Sequence, residues 1–73
     1  MERFILQESV LSNHFICTDT INGVVVIFEV HKYNETQSFE ILEDIEAPDA
    51  LKLAKIANEM GDWLRSNHYN KLF

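Results

Sequence analysis

The chain has 73 residues, 47% of them hydrophobic and 25% charged, with only two Gly and one Pro. That composition excludes a disordered tail, a flexible linker and a repeat array, and it fits one small folded domain over residues 1–73. Twelve Asp and Glu against six Lys and Arg give a net charge of −6, and because non-specific nucleic-acid affinity comes from cations that neutralise phosphates, direct nucleic-acid binding is not expected.

Shortness has its own consequence. An unaided core of this size supplies roughly 3 to 5 kcal/mol of net stability. The lone Cys17 cannot close an intramolecular disulfide, and the Cys and His spacing offers no structural zinc site. Self-association is the remaining supplement, so a homo-oligomer or a protein partner is expected and no cofactor is. The segment MERFILQESV mixes acid and base without an apolar stretch of signal-peptide length, and no 18-residue apolar run follows. A cytoplasmic protein without membrane contact is the expectation.

In chain order, RFILQE is rich in strand formers and reads as a first strand over about 3–8. VLSN connects it to a second. Asn22-Gly23 suits the positive-φ positions of a type I′ turn between HFICTDTI and VVVIFEVHKY, which predicts a tight hairpin of strands at about 14–21 and 24–33. With a two-residue turn, opposed residues have numbers adding to about 45, so Cys17 faces Phe28 and His14 faces His31. Alternation places Phe15, Cys17, Ile21, Val24, Val26, Phe28 and Val30 on one face, with Asp19 a polar exception. His14, Ile16, Thr18, Thr20, Val25, Ile27, Glu29 and His31 take the other.

Asn34-Glu35-Thr36-Gln37 breaks the apolar pattern and SFEILED resumes it, giving a looser hairpin and a fourth strand at about 38–43. Phe39 and Ile41 then join the apolar face, as do Phe4 and Leu6 from the first strand. From Pro48 the period becomes helical: Leu53, Ile56, Ala57, Met60, Trp63 and Leu64 form one stripe of an amphipathic helix over about 48–67. Either Pro48 occupies its first position or Asp49 caps a helix that begins at Ala50. Gly61 costs about 1 kcal/mol relative to Ala inside a helix, and its bland role is to let the helix approach the sheet beside Trp63. The fold class is α+β: an antiparallel meander of three to four strands with one C-terminal helix packed on one face. Phe15, Val24, Val26, Phe28, Val30, Phe39, Ile41, Leu53, Ile56, Met60 and Leu64 are its expected core.

Several constellations invite chemistry. On the two inferred registers His14, His31 and Glu40 form a row that could hold zinc, although solvated strand-end residues are the plainer reading. His68, near the helix end, suits capping of terminal carbonyls as a cation. Cys17 points into the apolar face while the nearby His residues point away, so it reads as a small buried hydrophobe rather than a nucleophile. Two glycines cannot build a dinucleotide fingerprint, and G-x-S-x-G, H-E-x-x-H and C-x-x-C are absent from the sequence. No enzyme activity is expected.

Two surface features remain. Residues 1–33 carry −2, residues 34–49 carry −6 and residues 50–73 carry +2, so one short segment accounts for the whole net charge. Its Glu43, Asp44, Glu46 and Asp49 precede the helix, whose positive N-terminal dipole favours anions. A sharper alternative is an acidic strip of Glu40, Glu43, Asp44 and Glu46 that docks on a basic, nucleic-acid-handling protein as a regulator or inhibitor. The outer sheet face carries Ile16, Val25, Ile27 and Leu42, with Ile5 nearby. Together they make a patch of the size at which an interaction role arises. The leading reading is a small non-enzymatic interaction module that self-associates through this face.

The order of antiparallel strands followed by DALKLAKIANEMGDWL resembles the small partial RNase-H-like antitoxin domains, in which a meander precedes an Ala- and Leu-rich helix ending near Trp. Their PDLPGC-type turn is absent here, and the resemblance assigns no residue a role. Sheet-plus-helix order is also similar to the arm-type DNA-binding modules of phage integrases, whose basic sheet face this chain lacks.

Overall fold

A computed structural model describes residues 2–42 and 46–73. Four antiparallel strands, β1 (Phe4–Glu8), β2 (His14–Asp19), β3 (Val24–Glu29) and β4 (Ser38–Ile41), form one sheet in the order β1-β2-β3-β4, and helix α1 (Ala50–Leu72) follows. The expected α+β meander with a C-terminal helix is the fold.

The hairpin register differs from the one a two-residue turn implies. Asp19 faces Val24, Cys17 faces Val26, Phe15 faces Phe28 and His14 faces Glu29. Paired numbers add to 43 rather than 45, so Thr20 to Gly23 form a four-residue loop and Ile21 projects into solvent. Asp19 is the cause: its carboxylate accepts the N–H of Ile21 at 3.0 Å and of Asn22 at 3.1 Å, and the Asn22 amide at 2.8 Å. These bonds satisfy the loop backbone locally, as Asx turns do. Gly23 takes φ of 69° and donates its N–H to the Asp19 carbonyl at 2.9 Å. A slip of two residues leaves the strand side chains on their expected faces, because strand alternation has a period of two, while Ile21, expected on the apolar face, now lies in the loop and is exposed.

The second hairpin shifts further than the first. Val24 faces Ile41, Val25 faces Glu40 and Val26 faces Phe39, and β3 stops at Glu29 instead of running to residue 33. Thr36 takes the next position of the ladder with its side chain, its hydroxyl accepting the Glu29 N–H at 2.8 Å and donating to the Lys32 carbonyl at 2.7 Å. His31 then turns away with φ of 67°. The long loop brings Tyr33 over the core, edge-on to Phe28 at 5.0 Å and 81°. Its hydroxyl donates to the Ala57 carbonyl at 2.8 Å.

Helix α1 starts where the second of the two capping alternatives puts it. Asp49 has extended backbone (φ −72°, ψ 175°) and its carboxylate accepts the Lys52 N–H at 2.8 Å. The helix continues past residue 67 to Leu72, with one non-helical residue at His68 (φ −137°, ψ 27°). That kink turns the last stretch toward the sheet. Leu72 is buried, and its carbonyl accepts the His31 N–H at 2.9 Å. His68 is therefore not a terminal cap; its ring lies 5.2 Å from that of Trp63.

Ile56, Met60 and Leu64 from α1 pack with Phe4, Cys17, Val24, Val26 and Phe28 of the inner sheet face, with Tyr33 and Leu72 completing the core. Phe15, Val30, Ile41 and Leu53 pack at its margin. Phe39, expected inside, is exposed: it lies on the edge strand β4, where it lines an open groove beside Leu53 and Ala57 of the helix instead of entering the core. The tight neighbour of Gly61 is not the sheet but Tyr33. A Cβ there would stand 3.1 Å from the Tyr33 ring.

Asp19 is the one fully buried acidic side chain among the described residues, and Arg3 compensates it. The guanidinium donates to its carboxylate at 2.9 and 3.2 Å and to Glu59 of the helix at 2.9 Å. Burial pushes the Asp19 carboxyl up, but hydrogen bonds from Arg3, Asn22 and Ile21 outweigh it and hold the group below the usual carboxylate range. One charge cluster thus joins the N-terminal segment, the hairpin loop and α1.

Candidate interaction surface

The outer face of the sheet lies opposite the helix. Its side chains follow from the ladder: Ile5, Thr18, Val25 and Glu40 form one cross-strand row, and Gln7, Ile16, Ile27 and Ser38 form the next. Ile16 stands directly opposite Ile27, and Val25 precedes Ile27 by two residues on the same strand face. Leu42, one residue past β4, donates its N–H to the Gly23 carbonyl at 2.9 Å, which fixes it diagonally beyond Val25. The four residues singled out from the sequence, Ile16, Val25, Ile27 and Leu42, therefore form one stripe from β2 to β4.

Ile16, Val25 and Ile27 are half-buried, as flat-lying aliphatic groups flanked by Thr and Gln are, while Leu42 and Ile5 are 45% and 43% exposed. Four strands at about 4.8 Å spacing and six residues at about 3.4 Å rise make a face of about 400 Å². That area is the whole face, on which the aliphatic stripe lies among Thr18, Gln7, Ser38 and Glu40.

The His14, His31 and Glu40 row is not assembled. His14 faces Glu29, His31 lies beyond the end of β3, and Glu40 faces Val25. A hairpin longer by two residues separates the two imidazoles by register, and the second hairpin carries Glu40 toward the opposite end of β3. The His14 ring instead pairs through Nδ1 with the Ser12 carbonyl at 2.8 Å. Among the described residues, no group of three or more His, Cys, Asp or Glu side chains is placed to hold a metal ion.

Cys17 is fully buried on the inner face, opposite Val26 rather than Phe28. Burial, with a smaller contribution from the Asp19 charge, pushes its thiol up to about 12. That environment opposes thiolate formation.

Of the acidic strip, Glu43 and Asp44 lie outside the described residues. Glu40 stands exposed on the outer face beside Val25, and Glu46 is exposed ahead of the helix. Asp49 serves as the helix cap.

Sequence reasoning missed the Arg3-Asp19-Glu59 cluster, although an Asp on an otherwise apolar strand face was its visible signal. Tyr33 had no comparable signal, since its burial depends on how a long loop returns to the core, whereas the apolar tail residues Tyr69, Leu72 and Phe73 already point to a chain end that folds back over the sheet or completes a dimer.

The fold and this surface define a compact α+β meander whose helix covers one face of the sheet and leaves the other open. No protein-family model matches the chain, and comparison with curated proteins and with solved structures returns no significant match. No helix among the described residues is long and apolar enough to cross a membrane.

Proposed function

We propose that this chain is a small non-enzymatic interaction module that self-associates through the outer face of its sheet. The observation that carries the reading is the stripe of Ile16, Ile27, Val25 and Leu42 on the face opposite α1. A second copy is the occupant this flat surface fits: a two-fold contact sets the aliphatic stripe of one subunit against the same stripe of the other. The polar rim of Gln7, Ser38, Glu40 and the His14-Glu29 pair then stays at the water boundary. At about 400 Å² per subunit the contact is roughly half of the standard ~800 Å², so self-association through it is concentration-dependent.

The test is mass against concentration by light scattering for the wild type, Val25→Lys and Ile27→Glu. Both substitutions place a charge on the outer face without entering the inner core. The expected result is loss of the outer-face contact, read as a fall in mass, with unfolding free energies held within about 0.5 kcal/mol of wild type. A wild type that stays monomeric at millimolar concentration, or substituted chains that associate as the wild type does, overturns the reading.

A further inference from the structure

The sheet has a second unsatisfied boundary, the free edge of β1, and its hydrogen-bonding pattern follows from two bonds at its ends. Thr20 donates to the Arg3 carbonyl at 2.7 Å and Ser9 donates to the His14 carbonyl at 3.1 Å. Both pairs continue the β1–β2 register. In an antiparallel ladder, bonded and non-bonded pairs alternate, so Ile5 and Gln7 bond to β2 while Phe4, Leu6 and Glu8 direct their N–H and C=O groups outward. Among the described residues, none of those outward groups has a backbone partner beyond the strand. Edge strands in proteins are ordinarily blunted by Pro, Lys or a bulge. FILQE has none of these; its one charge is the exposed Glu8 at the end of a five-residue strand.

Beside this edge runs a groove of about 500 Å³ between β1 and the C-terminal half of α1. Phe4 and Leu6 line its strand side, Trp63 and His68 its helix side. Its ends differ in charge, one carrying Glu2 and the other Lys71 together with Glu8. Glu2 lies at the start of the strand, and Lys71 lies near Glu8 and Phe15 at the far end, its ammonium 5.2 Å from the Phe15 ring. Lys71 forms no ion pair among the described residues.

The geometry points to a second copy of this chain as the occupant of that edge, with β1 pairing antiparallel to β1 of the partner about a two-fold axis at Leu6. Leu6 is the middle of the three residues whose backbone faces out, so this axis sets Leu6 against Leu6 and Phe4 against Glu8. The two sheets become one sheet of eight strands. Antiparallel pairing also carries Glu2 of each copy past Glu8 of the other, toward its unpaired Lys71. A groove with Glu at one end and Lys at the other is thus self-complementary under a two-fold rotation. This contact is independent of the outer face.

Glu8→Pro tests it directly. Glu8 is exposed, its N–H faces away from β2, and an outward-facing edge position is where a strand tolerates Pro. Removing one hydrogen bond per copy, two per dimer, raises the dissociation constant about 30-fold. Lys71→Glu, which leaves the strand untouched, also weakens the dimer, and adding Glu2→Lys to it restores association. Amide exchange supplies a residue-level readout: in associated wild type the Leu6 and Glu8 amides are protected, and on dilution they exchange fast while Ile5 and Gln7 stay slow. The proposal is overturned if Leu6 and Glu8 amides exchange fast in an associated sample, or if Glu8→Pro and Lys71→Glu both leave the mass unchanged. Val25→Lys leaves edge pairing intact and Glu8→Pro leaves the face contact intact, so the two contacts fail separately.

Discussion

Asp19→Asn removes the charge from the only fully buried acidic side chain among the described residues while keeping its shape. The wild-type carboxylate accepts five hydrogen bonds: two from Arg3, two from Asn22 and one from Ile21. An Asn side chain can still accept the two backbone N–H groups through its carbonyl oxygen, but its amide turns two donors toward Arg3 and the Asn22 amide. The bonds lost are the charge-assisted ones. A hydrogen bond to a charged group contributes about 1.5–3 kcal/mol, and Arg3 is 30% exposed and retains Glu59, which lowers the effect. A cost of about 2–3 kcal/mol is expected, a large share of the roughly 3–5 kcal/mol available to a core of this size. The apparent Tm should fall by about 10–20 °C.

Urea unfolding followed by Trp63 fluorescence reads this change, since the indole packs 5.6 Å from the Phe4 ring. Acid provides an independent check. The folded carboxyl is held below the unfolded value of about 3.9, so its contribution is complete above that value and is lost as the pH falls through the folded one. Below about pH 4 the wild-type midpoint should drop, and Asp19→Asn should lack that share of the drop. A double-mutant cycle with Arg3→Met isolates the pair, with a coupling of about 1–3 kcal/mol expected. An Asp19→Asn midpoint within about 0.5 kcal/mol of wild type, with the same acid slope, refutes the assignment of Asp19 as the charge that holds the hairpin loop.

Two further outcomes follow from the core. Cys17, buried with its thiol raised to about 12, should resist an aromatic disulfide reagent at pH 8 in the folded chain and react with one equivalent in urea; rapid reaction of the native protein contradicts its placement. Leu72→Ala, which empties a fully buried position at the helix end, should cost about 2–5 kcal/mol by calorimetry or urea. A change under 1 kcal/mol would mean that the segment after His68 does not dock on the core.

The local and the long-range parts of this structure separate cleanly. Sequence alone determined which face of the sheet each strand residue occupies, because alternation is a property of a few consecutive residues. It also determined the helix stripe and offered the Asp49 cap, both of which are short-range patterns. Phe4 and Leu6 on the apolar face, and Ile16, Val25, Ile27 and Leu42 on the other, follow from that period alone.

Register was a different matter, since it depends on how many residues the loop takes. Asn22-Gly23 indicated a turn there, yet Asp19 captured the Ile21 and Asn22 N–H groups and lengthened the loop by two residues. That shift preserved both faces and dissolved the His14-His31-Glu40 row, because a face needs only parity whereas a ligand cluster needs exact opposition. Only the tertiary structure decided that Asp19 lies buried against Arg3, that Tyr33 returns to Ala57, and that α1 runs to Leu72 instead of fraying near residue 67. Each of those rests on partners 16 to 41 positions away in the chain. No local period encodes a meeting of that kind; it is selected by the burial and charge pairing that the closed core makes available.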